Sequence, residues 1–432
     1  MQFPILPQRC INEMKFFLIS KCGEGAGLLY RIMQEGNSCR IWIREPDYST
    51  VYDGILEKAE DKYPDDDEIV IFDSSGMGDF ADYLKASGRK VLGASRFADK
   101  LENDRAFGLK VMEDSAILVP LTKEFSDFES GIKYAKEYNG KLVFKPCGDL
   151  PSKLSYVSCD SQDCIDYMKF VKSFYGKEIE SFVLQEFIEG AIVSSEFWFD
   201  EYGSVGDPNQ TIEVKKLLSG DLGPSTGCSG NIVWSSNLNN DVIQQGIGLL
   251  DNNGHVGPID LNTIVNESGV YGLEWTPRFG LDALPTFMQL LKMDLGELIA
   301  GLVNGDLVNI KVDTSNIAAG IRVSIPPYPI EPKTAKEVQK ASPNLGAPIR
   351  GLDINDKRVY LYEVMKKDNK LVHSDGTGVI AVVSDLGRDV KSAFRAPYRI
   401  LEEAKIPDKQ YRDDLISTLD RMHRDLKEEV YA

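Results

Sequence analysis

An apolar run, a glycine-rich turn and a helical stretch follow one another near the start of this 432-residue chain, and that order constrains its fold most. Lys15-Phe-Phe-Leu-Ile-Ser20 reads as a buried strand, Lys21-Cys-Gly-Glu-Gly-Ala-Gly27 as a turn, and Leu28 to Glu35 as a helix. Cys39-Arg-Ile-Trp-Ile43 and Glu68-Ile-Val-Ile-Phe-Asp73 supply further strands; a helix over Asp79–Ser87 then leads into Lys90-Val-Leu-Gly93. Strands alternating with helices predict a parallel α/β domain that binds ligands at the carboxyl ends of its strands. Gly23-x-Gly25-x-Gly27 lacks the spacing of the dinucleotide fingerprint, so a plain tight turn and a nucleotide-binding turn are equally open here.

Length predicts two to four domains. A formal charge of −18 argues against nucleic acid and anionic membranes, which require a basic surface. Apolar segments stop short of membrane-spanning length, and the first residues lack the pattern of a secretion signal. Residues 1–13 read as a short extension ahead of the first domain. Seven cysteines without a Cys-x-x-Cys pair, and three separated histidines, argue against structural zinc and fit reduced thiols in a cytoplasm. The histidines read as surface or structural residues. Chemistry is therefore expected from carboxylates, lysines, arginines and a metal.

Helices are predicted over 101–113, 126–138, Cys164–Tyr175, 243–250, 285–303, 390–404 and 408–429. Lys141 to Pro146 reads as a strand ending near Lys145, with Lys153 eight residues on across a loop. Two such lysines suit a triphosphate, and equally a solvated surface. Gln185-Glu-Phe-Ile188 ends another strand, where backbone groups can meet an adenine edge and Ile188 can pack on the ring; ordinary core is the even alternative.

The segment 256–276 reads as a hairpin. Asp260 and Asn262 share one face of its first strand, and Glu274 and Thr276 share a face of its second. Asp260 and Glu274 converge only if the pairing carries a bulge or an odd turn, for which Asn266-Glu-Ser-Gly269 is suited. Mg2+ takes one or two carboxylates beside phosphate oxygens and water, so the pair suits a metal that serves phosphoryl transfer. Two stretches sharpen this. Gly220-Asp-Leu-Gly-Pro-Ser-Thr-Gly-Cys-Ser-Gly230 is a turn-rich loop that offers Asp221 and Thr226, and Leu273-Glu-Trp-Thr-Pro-Arg-Phe-Gly280 presents Arg278 beside a Phe-Gly bend.

These residues resemble those of the ATP-grasp ligases, and specifically the glycinamide ribonucleotide synthetase family. The resemblance runs from about Met14 to the C-terminus. It rests on Leu101-Glu-x-x-Arg-Ala-Phe, Phe144-Lys145 with Lys153, Gln185-Glu-Phe-Ile-Glu-Gly190, Lys215-Lys216, Gly220-Asp-x-Gly-Pro-x-Thr-Gly227, Glu274-x-x-x-Arg-Phe-Gly280, and Ala319-Gly-Ile-Arg-Val with Tyr328-Pro. The 220–227 segment is specific to that branch; the lysine and glutamate elements are shared across the superfamily.

The resemblance implies an ATP-grasp fold of mixed α/β and α+β character. Its parts would be an N-terminal parallel α/β domain over 1–113, a small lid over 114–183, a central domain over 184–305 and a strand-rich C-terminal domain over 306–432. It implies ATP held by Arg105, Lys145, Lys153, Gln185, Glu186, Ile188, Glu189 and Lys215, and Mg2+ on Glu274 with Asp260 and Thr276. Asp221, Thr226 and Arg278 would line the acid and acyl-phosphate side as catalytic residues. The implied reaction joins a glycine-like carboxylate to a small amine through an acyl phosphate, in a monomer or dimer.

The chain departs from the family in places. Arg105 stands at a nucleotide-binding lysine, Ser152 and Leu154 at lid glycines, Ala191 and Ile192 at paired acids, and Thr276 at a metal-ligand asparagine. Lys21–Gly27 and Asp73-Ser-Ser-Gly-Met-Gly78 replace its phosphoribosylamine loops, which points to an altered amine acceptor. A genuine phosphoribosylamine–glycine ligase and a weakly catalytic nucleotide-binding protein are the other readings.

Overall fold

The structure is a computed structural model that describes residues 13–147, 154–236, 250, 254–307, 309–329 and 345–431. The chain opens with β1 (Lys15–Ser20), α1 (Ala26–Gln34), β2 (Ser38–Ile43), β3 (Glu57–Lys58), β4 (Glu68–Phe72), α2 (Gly78–Ala86) and β5 (Lys90–Leu92). Phe16, Phe17, Leu18 and Ile19 are fully buried, as expected of a strand covered on both faces. The five strands are parallel in the order β3-β2-β1-β4-β5. The order reverses between β1 and β4, so a crevice opens beyond their carboxyl ends at Ser20 and Asp73. The single helix expected over 101–113 is two, α3 (Arg96–Asn103) and α4 (Arg105–Asp114). Asp104 ends the first in an extended conformation and caps the second, its carboxylate accepting from the Phe107 N–H at 3.0 Å.

A small antiparallel sheet follows: β6 (Thr122–Phe125), α5 (Phe128–Glu137), β7 (Leu142–Pro146), β8 (Tyr156–Val157), α6 (Ser161–Tyr175) and β9 (Phe182–Glu186). Its order is β6-β9-β7-β8. It has its own core, in which Phe128 and Phe144 pack on Phe182 with ring centroids 4.9 and 5.0 Å away. The expected lid boundary at 183/184 falls inside β9, whose five residues all belong to this small sheet.

The third unit is an eight-stranded sheet. Its strands are β10 (Ala191–Asp200), β11 (Gly203–Leu218), β12 (Leu222–Ser235), β13 (Gly257–Asn266), β14 (Gly269–Thr276), β15 (Ile317–Ser324), β16 (Val359–Leu361) and, after the hairpin β17 (Val364–Lys367) and β18 (Lys370–His373), β19 (Val379–Gly387). The order β14-β13-β10-β11-β12-β15-β19-β16 runs straight across the expected 305/306 boundary. The C-terminal strands therefore extend the central sheet.

Helix Leu415–Tyr431 packs on β10 to β13 and helix Ala283–Leu290 on β12, β15 and β19. Gly320 is required by the second contact, because a Cβ there would lie 2.1 Å from Thr286 Oγ1. Gly190 joins the two sheets at φ +156°, where a Cβ would meet the Val265 carbonyl at 2.4 Å.

The expected helix over 408–429 starts at Leu415, and that over 390–404 is broken into Val390–Ala393 and Arg395–Glu403. Residues 243–249 of the helix expected over 243–250 and residues 1–12 of the extension expected over 1–13 lie outside the described residues. His255, His373 and His423 are all buried, so the surface alternative fails for each. The six described cysteines are free thiols.

Candidate active site

The β13–β14 hairpin builds the centre of the site. Asp260 pairs with Thr276 and Asn262 with Glu274, so all four side chains share one face. The bulge that makes this parity possible lies at Leu273 within β14, between the Asn262–Glu274 and Thr263–Gly272 pairs, rather than in the turn. The same face continues through Glu196, which pairs with Asp260, and Asn209, which pairs with Glu196. Glu213 lies farther along the strand that carries Asn209. Burial pushes Glu196 and Glu213 up to about 7. Asp260 rises well above the carboxylate range because burial is compounded by Glu196 and Glu213. Its Oδ2 accepts from the Asn262 amide at 3.0 Å.

Glu274 behaves oppositely. Burial would raise its pKa, but Lys215, Lys145, Arg105 and Arg278 outweigh it and hold the carboxyl below its ordinary value. One ionised carboxylate thus faces four cations drawn from β11, β7, α4 and the end of β14. Cations gathered about one ionised carboxylate suit a phosphate chain that arrives with a metal. The cleft between α3–α4 and β14 has a volume of about 140 Å3, with Glu102, Arg105, Glu274, Thr276 and Arg278 on its wall.

Lys145 lies near the end of β7 on the small sheet and donates to Gln185 Oε1 at 2.8 Å; Gln185 in turn donates to Thr122 Oγ1 at 2.9 Å. Burial drops the lysine to about 8, against the pull of Glu274. Gln185, expected on the nucleotide through its backbone, therefore has a side-chain task of aiming Lys145. Glu186 closes β9, its N–H bonded to the Leu121 carbonyl at 2.9 Å, and Ile188 and Glu189 follow on the linker to β10. Asn266 donates to the Glu189 carbonyl at 2.7 Å while the Glu189 side chain is exposed. Lys153 lies outside the described residues.

The three residues expected on the acid side are each held separately. Arg278 donates from Nε to Glu102 Oε1 at 3.1 Å, and its Nη2 lies 2.9 Å from the same oxygen in the ion pair. Thr226 is buried, donates to the Lys215 carbonyl at 2.8 Å and sits 3.2 Å from Ser229 Oγ. Asp221, half-exposed and at φ +55°, accepts from the fully buried Arg412 at 2.8 Å. The same arginine bonds Asp414, which also accepts from the Gly220 N–H at 2.8 Å, so the 219–221 turn is tethered to the start of the last helix. Arg322 donates through Nε to Asp282 at 2.6 Å and through Nη1 to the Tyr328 hydroxyl at 2.6 Å.

Sequence reasoning missed the acids. Glu24, from the β1–α1 turn, is raised to about 7 by burial and by Asp73, with Arg278 and Arg322 pulling it back. Asp73 Oδ2 accepts from the Ser20 hydroxyl at 2.6 Å and the Gly25 N–H at 2.7 Å. The Gly23 N–H donates to Ser20 Oγ at 2.6 Å and the Leu28 N–H to the Tyr360 hydroxyl at 2.9 Å. The Gly23 and Gly25 amides of the turn and the Leu28 amide of the first helical turn, which could help cradle a phosphate, are thus taken by the protein's own groups. The available signal was Asp73, placed at the end of a strand beside a glycine turn.

Mg2+ fits the donor set in a limited way. Among the described residues no group of three or more His, Cys, Asp or Glu side chains is placed to hold a metal. Glu274 is ionised and reaches solvent along the cleft, and Asp260 sits on the same face among acids that a cation would relieve. Two carboxylates suit a metal whose remaining ligands arrive with a nucleotide. Thr276 faces the same way and offers at most a neutral oxygen.

A parallel α/β unit, a small antiparallel sheet carrying a lysine, and a large sheet carrying the carboxylate opposite it make this an ATP-grasp protein. Two solved structures share the fold across nearly the whole chain. The phosphoribosylamine–glycine ligase of Thermotoga maritima superposes with a TM-score of 0.68 at 17% identity, covering 93% of this chain and 100% of the other. The biotin carboxylase domain of the Hydrogenobacter thermophilus 2-oxoglutarate carboxylase, solved with MgADP and bicarbonate, gives 0.63 at 14% identity and covers 96% and 95%. Within this class the chain resembles glycinamide ribonucleotide synthetase. Residues 103–250 match the family described as phosphoribosylglycinamide synthetase, ATP-grasp (A) domain. The phosphoribosylamine–glycine ligase of Caldanaerobacter subterraneus subsp. tengcongensis is 26% identical over 349 residues, 77% of this chain and 80% of that one.

Proposed function

We propose that this chain is an ATP-dependent carboxylate–amine ligase that activates glycine or a similar small amino acid and joins it to a small amine. The observation that carries the reading is Glu274, on the wall of the cleft between α3–α4 and β14 beside Arg105 and Arg278, and held ionised by these two together with Lys145 and Lys215. A carboxylate oxygen of the amino acid attacks the γ-phosphorus of ATP and ADP leaves. The amine nitrogen then attacks the acyl carbon, phosphate departs, and loss of a proton leaves the amide.

Lys145, aimed by Gln185, and Lys215 and Arg105 neutralise the phosphates during transfer. Arg278 orients the acid. Glu274, with Asp260 behind it, would hold Mg2+, which supplies charge neutralisation across the phosphates when bound. Closure of the small sheet over the site would shield the acyl phosphate from water. A cytoplasm, being reducing, suits the six free thiols.

Two readings of the acceptor compete. The curated relatives are named for phosphoribosylamine and glycine, which favours that pair. The occupied amides at the α1 N-terminus favour an acceptor without a phosphate at that position. ADP release with glycine and phosphoribosylamine, then with glycine and unphosphorylated amines, separates them. Turnover only with an unphosphorylated amine supports the altered acceptor, and turnover with phosphoribosylamine alone overturns it. Tight Mg-ATP binding without release for any acid–amine pair would make the chain a nucleotide-binding protein.

A further inference from the structure

Glu102 and Arg278 form an ion pair on the cleft wall, reaching from α3 to the segment after β14. The pairing is unequal. Both Nε and Nη2 of the guanidinium converge on Oε1, and Nη1 donates to the Phe279 carbonyl at 3.2 Å. Oε2 is buried and has no hydrogen-bond partner. A carboxylate facing a guanidinium usually engages both oxygens in a parallel fork. A buried carboxylate oxygen without a donor is costly, so a native site that keeps one has a use for it.

We propose that Glu102 Oε2 receives the ammonium of the amino-acid substrate. This rests on the reading of the chain as an amino-acid-activating ligase. In an α-amino acid the ammonium and the carboxylate are one carbon apart, so a site for the zwitterion needs a cation and an anion side by side. Arg278 and Glu102 are that pair. Arg278 has N–H groups beyond those that donate to Glu102 and Phe279, and these are left for an incoming carboxylate. Oε2 accepts from the ammonium beside it. The arrangement selects amino acids over plain carboxylic acids, because an acid lacking the ammonium leaves Oε2 bare. Glu102 also keeps Arg278 in place, so its two oxygens have separate tasks.

The test is calorimetric titration of the full chain loaded with Mg2+ and a non-hydrolysable ATP analogue, with glycine and then acetate as probes. Glycine is expected to bind and acetate to bind more weakly by about tenfold or more. Glu102→Gln keeps an oxygen for Arg278 and replaces the other with an amide that accepts nothing. It is expected to weaken glycine by about tenfold or more while leaving acetate and nucleotide binding within about twofold. An unchanged glycine-to-acetate ratio in Glu102→Gln overturns the proposal, including the case where both ligands weaken equally, which would leave Glu102 a positioning residue for Arg278 alone. If the loaded wild-type chain binds nucleotide but no small amino acid, the ligase reading falls and the proposal with it, a result distinct from an unchanged ratio.

Discussion

Glu274 and Asp260 sit on neighbouring strands of one face, yet their surroundings drive them apart. Four cations keep the first ionised, while burial and neighbouring acids favour the proton on the second. Removing the charge in Glu274→Gln should lower ADP release by about a hundredfold or more with the circular dichroism spectrum unchanged; an active variant would sink the metal assignment. Lys145 gives a pH signature. Its pKa of about 8 lies below the ordinary lysine value because burial disfavours the charge, so the charge that meets phosphate is present below that pH and lost above it. Nucleotide affinity should therefore fall as pH rises through about 8. The limb should vanish in Lys145→Arg, whose guanidinium stays charged. A wild-type profile flat from neutrality to well above that value would contradict it. The Asp260–Glu274 convergence was legible only as a condition: strand parity in the sequence called for a bulge or odd turn, but did not place the bulge at Leu273. The Lys145–Gln185 bond was not legible, since its partners are 40 residues apart and meet only through β7–β9 pairing.

Among the elements, α1 carries the clearest departure from a phosphate site. The Gly23 and Gly25 amides ahead of it and the Leu28 amide of its first turn are engaged by Ser20, Asp73 and Tyr360, so ribose 5-phosphate titrated into the nucleotide-free chain should show no saturable binding tighter than about 1 mM. A micromolar constant would restore phosphoribosylamine as the favoured acceptor. The contact of helix Ala283–Leu290 with β15 depends on Gly320, and Gly320→Ala should cost about 2 kcal/mol in chemical denaturation, as overpacking typically does. A loss under about 0.5 kcal/mol would mean that Thr286 yields easily. Element type was readable for β1, α1, β2, β4, α2 and β5, where apolar runs and glycine turns alternate, while the two-residue β3 left no signal. The split of α3 from α4 was missed because Asp104 both ends one helix and caps the next, and periodicity barely registers a one-residue break.

For the whole molecule, segments of sequence and units of structure do not coincide. The large sheet takes β15, β19 and β16 from beyond residue 305, which single-sequence patterning had no means to join to β12. A chain cut after residue 305 would leave the β12 edge bare, and should show no cooperative thermal transition. A sharp transition in that fragment would mean that the first 305 residues fold alone.

The N-terminal unit is bound as closely to the far end of the chain. Arg31 donates to the carbonyls of Asp356 and Val359, the Tyr52 N–H to that of Val364, and Thr50 Oγ1 to Asp375. Beside the crevice at Ser20 and Asp73, Tyr360 from the same distant stretch accepts from the Leu28 N–H and donates to the Glu24 carbonyl. Descent with a changed acceptor would thus require two remote segments to drift in concert. A chimera that imported a relative's first hundred residues without residues 356–375 would inherit a mismatched seam.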